Sequence, residues 1–149
     1  MILPDVTVLV GALRADAPRH DLLRGWLEDA VADPEVLGLT DAVLGGTVRV
    51  LTHPRVFDPP SPLPDVLDAV AALRAAHGVE RVTAGPRHWE IVDRLCRLVD
   101  ARGDVVPHVQ HAAVALEHGA LWVSLDRAFA RFPGLRWATP EGPGRGGNP

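Results

Sequence analysis

The sequence predicts an α/β fold in which a central parallel sheet is flanked by helices. The opening stretch, residues 2–10, is apolar and β-branched, as expected for a strand that is buried on both faces. Further along the chain, short apolar runs alternate with segments of helical periodicity, which is typical of a parallel sheet covered on both sides. A length of 149 residues suits one domain with one substantial core.

The elements of the first half follow from spacing and from helix start and stop signals. Residues 2–10 form the first strand and residues 11–16 a turn. A helix then begins near Pro18, at a position where proline is favoured, and ends at Asp33-Pro34. A short strand at residues 36–39 leads into a second helix, for which Thr40 is the predicted N-cap.

The second half continues the alternation of strands and helices after a proline-rich loop at residues 58–64. Its predicted elements are a helix over 66–76, a strand over 79–84, helices opened by Pro86 and by Pro107, a strand over 121–125, a short helical turn over 127–132 and a last strand over 135–138. Residues 141–149 are rich in glycine and proline and are predicted to be disordered, so that the single domain spans residues 1–140.

Composition excludes several classes of protein. No apolar run reaches the length of a membrane span, and the N-terminus lacks the features of a signal peptide. The lone Cys96 rules out an internal disulfide framework and suits a reducing cytoplasm. The net charge of −4 gives no global basic field of the kind that attracts nucleic acids.

Two carboxylates, Asp5 and Asp126, each belong to an apolar strand. Because parallel strands deliver their carboxyl ends to one edge of the sheet, these acids are expected to meet there. Paired carboxylates at such an edge suit Mg²⁺ or Mn²⁺, which can activate water for phosphodiester hydrolysis. The alternative is that each aspartate only caps the turn or helix that follows it.

A pair of glycines, Gly45 and Gly46, lies inside the second predicted helix. Each costs on the order of 1 kcal/mol relative to alanine in a helix interior. Such a pair indicates either close packing against a neighbour or the loss of a former side chain.

Four stretches together carry a resemblance to a known family: residues 5–9, 49–57, 103–119 and 124–137. They resemble, in order along the chain, segments of PIN domains, and within these the VapC-type ribonuclease toxins of bacterial type II toxin–antitoxin pairs. The resemblance implies a PIN-like three-layer fold and covers the chain to about Pro140.

The metal site that the resemblance implies is only half present. Asp5 and Asp126 match the first and last acids of the family's quartet. Gly46 stands where a glutamate is expected, and His108 stands where the third acid is expected. A secondary acid that often follows the last one is replaced by Ala128. The resemblance therefore implies a degenerate acidic site.

His108 and His111 lie three residues apart on a predicted helix and could face the same rim. With Asp5 and Asp126 they would form a mixed nitrogen and oxygen site that favours Zn²⁺, Fe²⁺ or Mn²⁺ over Mg²⁺. The alternative is that His108 is merely a tolerated replacement.

Other histidines and two arginines are expected to have lesser roles. His53, His88 and His118 are predicted to be structural. Arg49 and Arg55 could contact RNA phosphates, or could simply be solvated on the surface.

The resemblance implies a cytoplasmic, metal-dependent endoribonuclease toxin that uses Mg²⁺ or Mn²⁺, acts on RNA, forms a homodimer and pairs with an antitoxin. The missing acids leave two alternatives. One is a catalytically inactive PIN protein that binds RNA or a protein partner. The other is an enzyme of altered metal chemistry, built on Asp5, His108, His111 and Asp126. Association is also expected because the apolar, proline-rich segment 56–67 is predicted to be incompletely covered.

Overall fold

A five-stranded parallel sheet forms the centre of the protein in the computed structural model, which describes residues 1–142. The strand order is β3-β2-β1-β4-β5, so the first strand lies in the middle. The strands are β1 Ile2–Pro4, β2 Leu37–Thr40, β3 Val79–Val82, β4 Leu121–Val123 and β5 Trp137–Ala138. The predicted α/β class with a parallel sheet is confirmed.

Within residues 1–142, six helices and one 3₁₀ turn connect the strands. The helices are α1 Val6–Leu13, α2 His20–Ala32, α3 Asp41–Leu51, α4 Leu63–Ala75, α5 His88–Val99 and α6 Val105–Glu117, and the 3₁₀ turn is Arg127–Arg131. The predicted N-cap of α3 is confirmed, since the Thr40 hydroxyl accepts a hydrogen bond from the Val43 N–H at 3.2 Å. None of the helices within residues 1–142 has the length and apolar character needed to cross a bilayer.

The prediction of a long first strand and a following turn was wrong. The strand stops at Pro4, and residues 6–13, including Gly11, form helix α1. The Asp5 carboxylate ends the strand by accepting a hydrogen bond from the N–H of Val6, which caps the new helix. Most of helix α1 is buried, with Val8 and Leu9 completely so, whereas Thr7 in its first turn is exposed.

Helix α1 packs very closely on α2. A Cβ atom added to Gly11 would collide with the side chain of Leu23, which is itself fully buried. Glycine at this crossing therefore leaves room for the Leu23 side chain, which would have to move if any larger residue stood at position 11.

Several other boundaries differ from the prediction by a few residues. Helix α4 begins at Leu63, inside the predicted loop, and α6 begins at Val105, before Pro107. Proline is tolerated in the first turn of a helix because the N–H groups there have no intrahelical partner. Of the predicted disordered tail, residues 143–149 lie outside the described range, whereas Gly142 forms a short antiparallel bridge with Thr139.

Candidate functional site

Strands β1 and β4 lie side by side and bring Asp5 and Asp126 to the same edge of the sheet. Pro4 pairs with Val123 in the parallel register, and the N–H of Asp5 donates to the carbonyl oxygen of Val123 at 2.8 Å. Each aspartate therefore follows the carboxyl end of its strand, with Asp126 three residues beyond Val123. The prediction that the two acids share an edge of adjacent strands is confirmed.

The hydroxyl of Ser124 joins the two aspartates. Its Oγ donates to Asp5 Oδ2 at 2.6 Å and accepts a hydrogen bond from the N–H of Asp126 at 2.9 Å. Ser124 is completely buried, so water does not compete for either bond. Sequence reasoning gave this residue no role, although it lies two positions before Asp126 in a stretch that matched the family.

Asp5 is buried and fully supplied with hydrogen-bond donors. Besides Ser124, the N–H of Val6 donates to Oδ1 at 2.7 Å and the Thr7 hydroxyl donates to Oδ2 at 3.0 Å. Only 6% of Asp5 is exposed, and these three donors offset the cost of removing a carboxylate from water. Asp5 therefore fits both predicted roles, because it caps α1 and also lies at the edge of the sheet that it shares with Asp126.

Each carboxylate oxygen of Asp126 also has a partner in the protein, but this side chain remains partly exposed to solvent. Its Oδ1 accepts a hydrogen bond from the N–H of Ala128 at 2.8 Å, which caps the 3₁₀ turn. Its Oδ2 lies 3.1 Å from Nε2 of His108, and the exposed fraction of the Asp126 side chain is 40%. The loop before it is held by Thr7, whose hydroxyl accepts a bond from the Leu125 N–H at 3.3 Å.

His108 is held between two oxygen atoms. Its Nε2 faces Asp126 Oδ2, and its Nδ1 lies 3.0 Å from the carbonyl oxygen of Asp104. These two contacts fix the orientation of the imidazole ring. The ring also packs against Phe129, with 5.1 Å between the ring centroids. His108 is therefore anchored as the partner of Asp126.

His111, one turn further along α6, has different surroundings. Its ring stacks on Trp122 at a centroid distance of 5.2 Å and an interplanar angle of 21°, and within residues 1–142 it has no hydrogen-bond partner. Burial lowers the pKa of His111 below its ordinary value, although the nearby Asp5 carboxylate opposes this shift and His108 adds to it. Burial thus disfavours the protonated form of the His111 ring.

The space that a glutamate would use on α3 is filled. A Cβ atom built on Gly46 would lie 2.7 Å from Cγ2 of Val6, whereas a Cβ on Gly45 would meet nothing within 4 Å. Val6, the residue directly after Asp5, is thus the side chain that lies against Gly46. The glycine pair therefore includes one closely packed position and one open position.

The residues present do not fit the divalent metal that the family's acid quartet would hold. In the described part of the chain, no group of three or more His, Cys, Asp or Glu side chains lies close enough to bind a metal ion. Asp126 Oδ2 is paired with His108, and Asp5 accepts three hydrogen bonds from the protein. Mg²⁺ needs near-octahedral oxygen coordination, which two carboxylates engaged in this way do not offer.

Two of the histidines that were predicted to be structural make backbone contacts in the described range. His53 Nδ1 accepts a hydrogen bond from the N–H of Arg55 at 3.0 Å, and His118 Nε2 lies 2.8 Å from the carbonyl oxygen of Thr83. Both contacts hold loops, which agrees with the prediction. His88 differs, because its buried Nδ1 has no protein partner among residues 1–142.

Comparison with known proteins identifies the family. The family model described as "PIN domain" matches residues 2–135. Ribonuclease VapC43 of Mycobacterium tuberculosis is 47% identical over 140 residues, which cover 94% of this chain and 95% of that protein. Ribonuclease VapC25 of the same organism is 37% identical over 140 residues, covering 94% of this chain and 99% of the relative.

Solved structures agree with the fold. VapBC2 from Rickettsia felis, bound to a DNA fragment from its promoter, superposes with a TM-score of 0.68 at 14% identity and covers 93% of this chain and 98% of its own. VapC20 from Mycobacterium tuberculosis, described as a sarcin-ricin loop cleaving toxin, gives a TM-score of 0.63 at 20% identity and covers 91% and 99%. On the strength of the family match and the full-length relatives, this chain belongs to the PIN-domain family, and within it to the VapC-type ribonuclease toxins.

Proposed function

We propose that this protein is an RNA-binding toxin of the VapC type whose Mg²⁺-dependent cleavage of RNA is weak or absent. The observation that carries the proposal is the contact between His108 Nε2 and Asp126 Oδ2 at 3.1 Å. Ribonucleases of this family generally depend on a divalent metal ion. In this chain His108 contacts one oxygen of the Asp126 carboxylate. The side chain of Val6 lies against Gly46, the position where the resemblance implies a further acid.

We assign the functional roles to Asp5, Asp126 and His108. The side chains of Asp126 and His108 are 40% and 34% exposed, so a bound RNA strand can reach them. Asp5 is too deeply buried to be reached and acts as a positioning residue, because it holds Ser124, which in turn holds the backbone of Asp126.

Contact with the RNA backbone is assigned to exposed arginines. Arg127 and Arg131 lie on the 3₁₀ turn that Asp126 caps, and Arg49 and Arg55 lie in and after the last turn of α3. All four are exposed. Guanidinium groups suit phosphate recognition because they donate two parallel hydrogen bonds.

Protein partners form the second part of the proposal. Solved neighbours of this fold include toxin–antitoxin assemblies from Rickettsia felis and from Haemophilus influenzae, and we propose an antitoxin for this chain as well. Three apolar side chains of the predicted association segment are half exposed: Val56 at 52%, Leu63 at 51% and Leu67 at 48%. We propose that a second copy of the chain covers this patch in a homodimer.

RNA cleavage and RNA binding by the antitoxin-free protein test the main proposal. The parent is expected to bind single-stranded RNA. With Mg²⁺ or Mn²⁺ it should cut a mixed RNA pool weakly or not at all. The double variant Arg127→Ala with Arg131→Ala should bind RNA more weakly than the parent. If the parent cleaves RNA with Mg²⁺ and Asp5→Asn abolishes the cleavage, the proposal is wrong.

Metal analysis of the purified protein tests the enzyme of altered metal chemistry. We expect no stoichiometric Zn²⁺, Fe²⁺ or Mn²⁺, because His108 and His111 have separate surroundings. One equivalent of a transition metal that is lost in both His108→Ala and His111→Ala would favour that alternative.

Light scattering of the parent and of the double variant Leu63→Asp with Leu67→Asp tests the homodimer.

A further inference from the structure

A groove of about 470 Å³ opens on the same edge of the sheet as the two aspartates. Its walls come from the residues that follow β2 and β3, from the start of α5 and from one face of α6. The lining includes Ala42, Thr83, Ala84, His88, Gln110, His111 and Val114. The volume lies within the roughly 300–1,000 Å³ that is usual for small-molecule sites.

The groove continues from the acidic site. In the strand order β3-β2-β1-β4, the groove occupies the ends of β3 and β2, and the aspartates occupy the ends of β1 and β4. Helix α6 contributes to both, since His108 contacts Asp126 while His111, one turn later, lines the groove. An extended strand that passes over His108 would therefore meet the groove next.

The lining holds no arginine among the described residues. Its acid, Asp41, is paired with Arg81 through two hydrogen bonds of 2.5 and 3.2 Å. The buried Nδ1 of His88, which also lines the groove, has no protein partner within residues 1–142. Apolar walls are supplied by Ala84 and Val114, among others. A phosphate would find no guanidinium group here, whereas an uncharged planar group would lose little on leaving water.

Hydrogen-bonding groups of both kinds face such a ligand. The amide of Gln110 offers a donor and an acceptor, the imidazole of His111 in its neutral form offers one of each, and Thr83 adds a hydroxyl. His111 has no protein partner within residues 1–142, so its nitrogens are available. This combination resembles the way in which single-stranded RNA bases are recognised, by their edges and faces.

We propose that this groove is a nucleobase subsite, which takes one unstacked base of a bound RNA strand and reads its edge through His111 and Gln110. The inference rests on the proposed function, because it assumes RNA as the ligand of the neighbouring site. It adds that the base next to the contacted backbone is selected by uncharged groups rather than by arginine.

Free nucleosides test the subsite without any need for cleavage. The isotopically labelled full chain is titrated with adenosine, cytidine, guanosine and uridine in turn. Ribose 5-phosphate, which has no base, is the control ligand. At least one nucleoside should shift the side-chain NMR signals of His111 and Gln110 saturably, and ribose 5-phosphate should not. Shifts from ribose 5-phosphate alone, or no saturable shift from any nucleoside, would overturn the proposal.

A groove-filling variant separates the subsite from RNA binding as a whole. Ala42→Trp places an indole in the groove and should abolish the nucleoside shifts, while Ala71→Trp on an exposed position of α4 should not. Ala42→Trp should also lower RNA affinity by about 10-fold, because the hydrogen bonds to the edge of one base are lost. If Ala42→Trp leaves RNA affinity unchanged, the subsite is wrong and the proposed function stands. If neither variant nor parent binds RNA, the proposed function fails, and the nucleoside titration of the parent still decides the subsite.

Discussion

The side chain of Val6 covers Gly46, at a distance that would leave only 2.7 Å between Cγ2 of Val6 and a Cβ atom at position 46. The resemblance places a glutamate of the family's quartet at position 46. A glutamate there would require Val6 to move, and a β-branched side chain has little rotamer freedom with which to do so. The two residues must be considered as a pair.

Restoring the acid cluster should therefore require three changes: Val6→Ala, Gly46→Glu and His108→Asp. We expect Mg²⁺ to raise the thermal unfolding midpoint of the triple variant and not that of the parent. Ligand at 100 times its dissociation constant would stabilise the fold by about 2.7 kcal/mol. Differential scanning calorimetry with and without Mg²⁺ measures this shift.

The double variant that retains Val6 is the matched control for this experiment. It should be less stable than the triple variant in the absence of metal, because the glutamate then collides with valine. Equal Mg²⁺ stabilisation of the parent and the triple variant would contradict the conclusion that the parent site does not fit the metal.

The two glycines of α3 should respond differently to alanine. Gly45→Ala should stabilise the protein by about 0.5–1 kcal/mol, since the added methyl group meets nothing and helix propensity improves. Gly46→Ala should lose that gain or become destabilising, because of Val6. Urea denaturation of both single variants gives the comparison, and identical free energies of unfolding would refute it.

Loss of the Ser124 hydroxyl should weaken the whole site. Ser124→Ala removes one of the three donors to the buried Asp5 carboxylate and leaves the N–H of Asp126 without its acceptor. We expect a loss of about 1–3 kcal/mol in the free energy of unfolding. Thr7→Val, which removes a more exposed hydroxyl from the same carboxylate, should cost less. A larger loss in Thr7→Val would show that Ser124 is not the central contact.

Glu117 should contribute to the dependence of stability on acid. Burial alone would raise its pKa, but hydrogen bonds from the N–H groups of Gly85 and Arg87, at 2.8 Å each, and the nearby His88 and His118 lower it below the ordinary value. A carboxyl with a depressed pKa adds stability above the unfolded pKa of about 4.3, and this is lost as the pH falls through the folded pKa.

Glu117→Gln should accordingly reduce the difference in stability between neutral pH and about pH 3. Urea denaturation of parent and variant at the two pH values measures that difference. If the parent and the variant lose equal stability on acidification, Glu117 has no such role.

The positions of the two aspartates could be predicted from sequence because strand ends are marked by local chemistry. Asp5 and Asp126 each interrupt or follow an apolar run, and parallel pairing brings such ends together. The helix that follows Asp5 could not be predicted in the same way. A continuous apolar run fits a buried strand and a buried helix equally well, and here the enclosing core decided for the helix despite its valines.

The different contacts of His108 and His111 also could not be predicted from the sequence. A spacing of three residues puts His108 and His111 on neighbouring faces of α6, but only the tertiary structure shows that one meets Asp126 and the other Trp122. The mixed metal site drawn from all four residues remains a prediction for metal analysis. Ser124 and Val6 were missed because neither residue type marks a site by itself.

The pairing of β1 with β4 has a consequence for the synthesis of the protein. Asp5 meets Ser124 only after an additional 119 residues have been added to the chain, and the middle strand of the sheet lacks its β4 neighbour until then. Contacts between such distant segments form late, since a long loop must close first. A nascent chain on the ribosome, which is itself rich in RNA, would therefore carry no assembled acidic site until residues 121–126 have emerged.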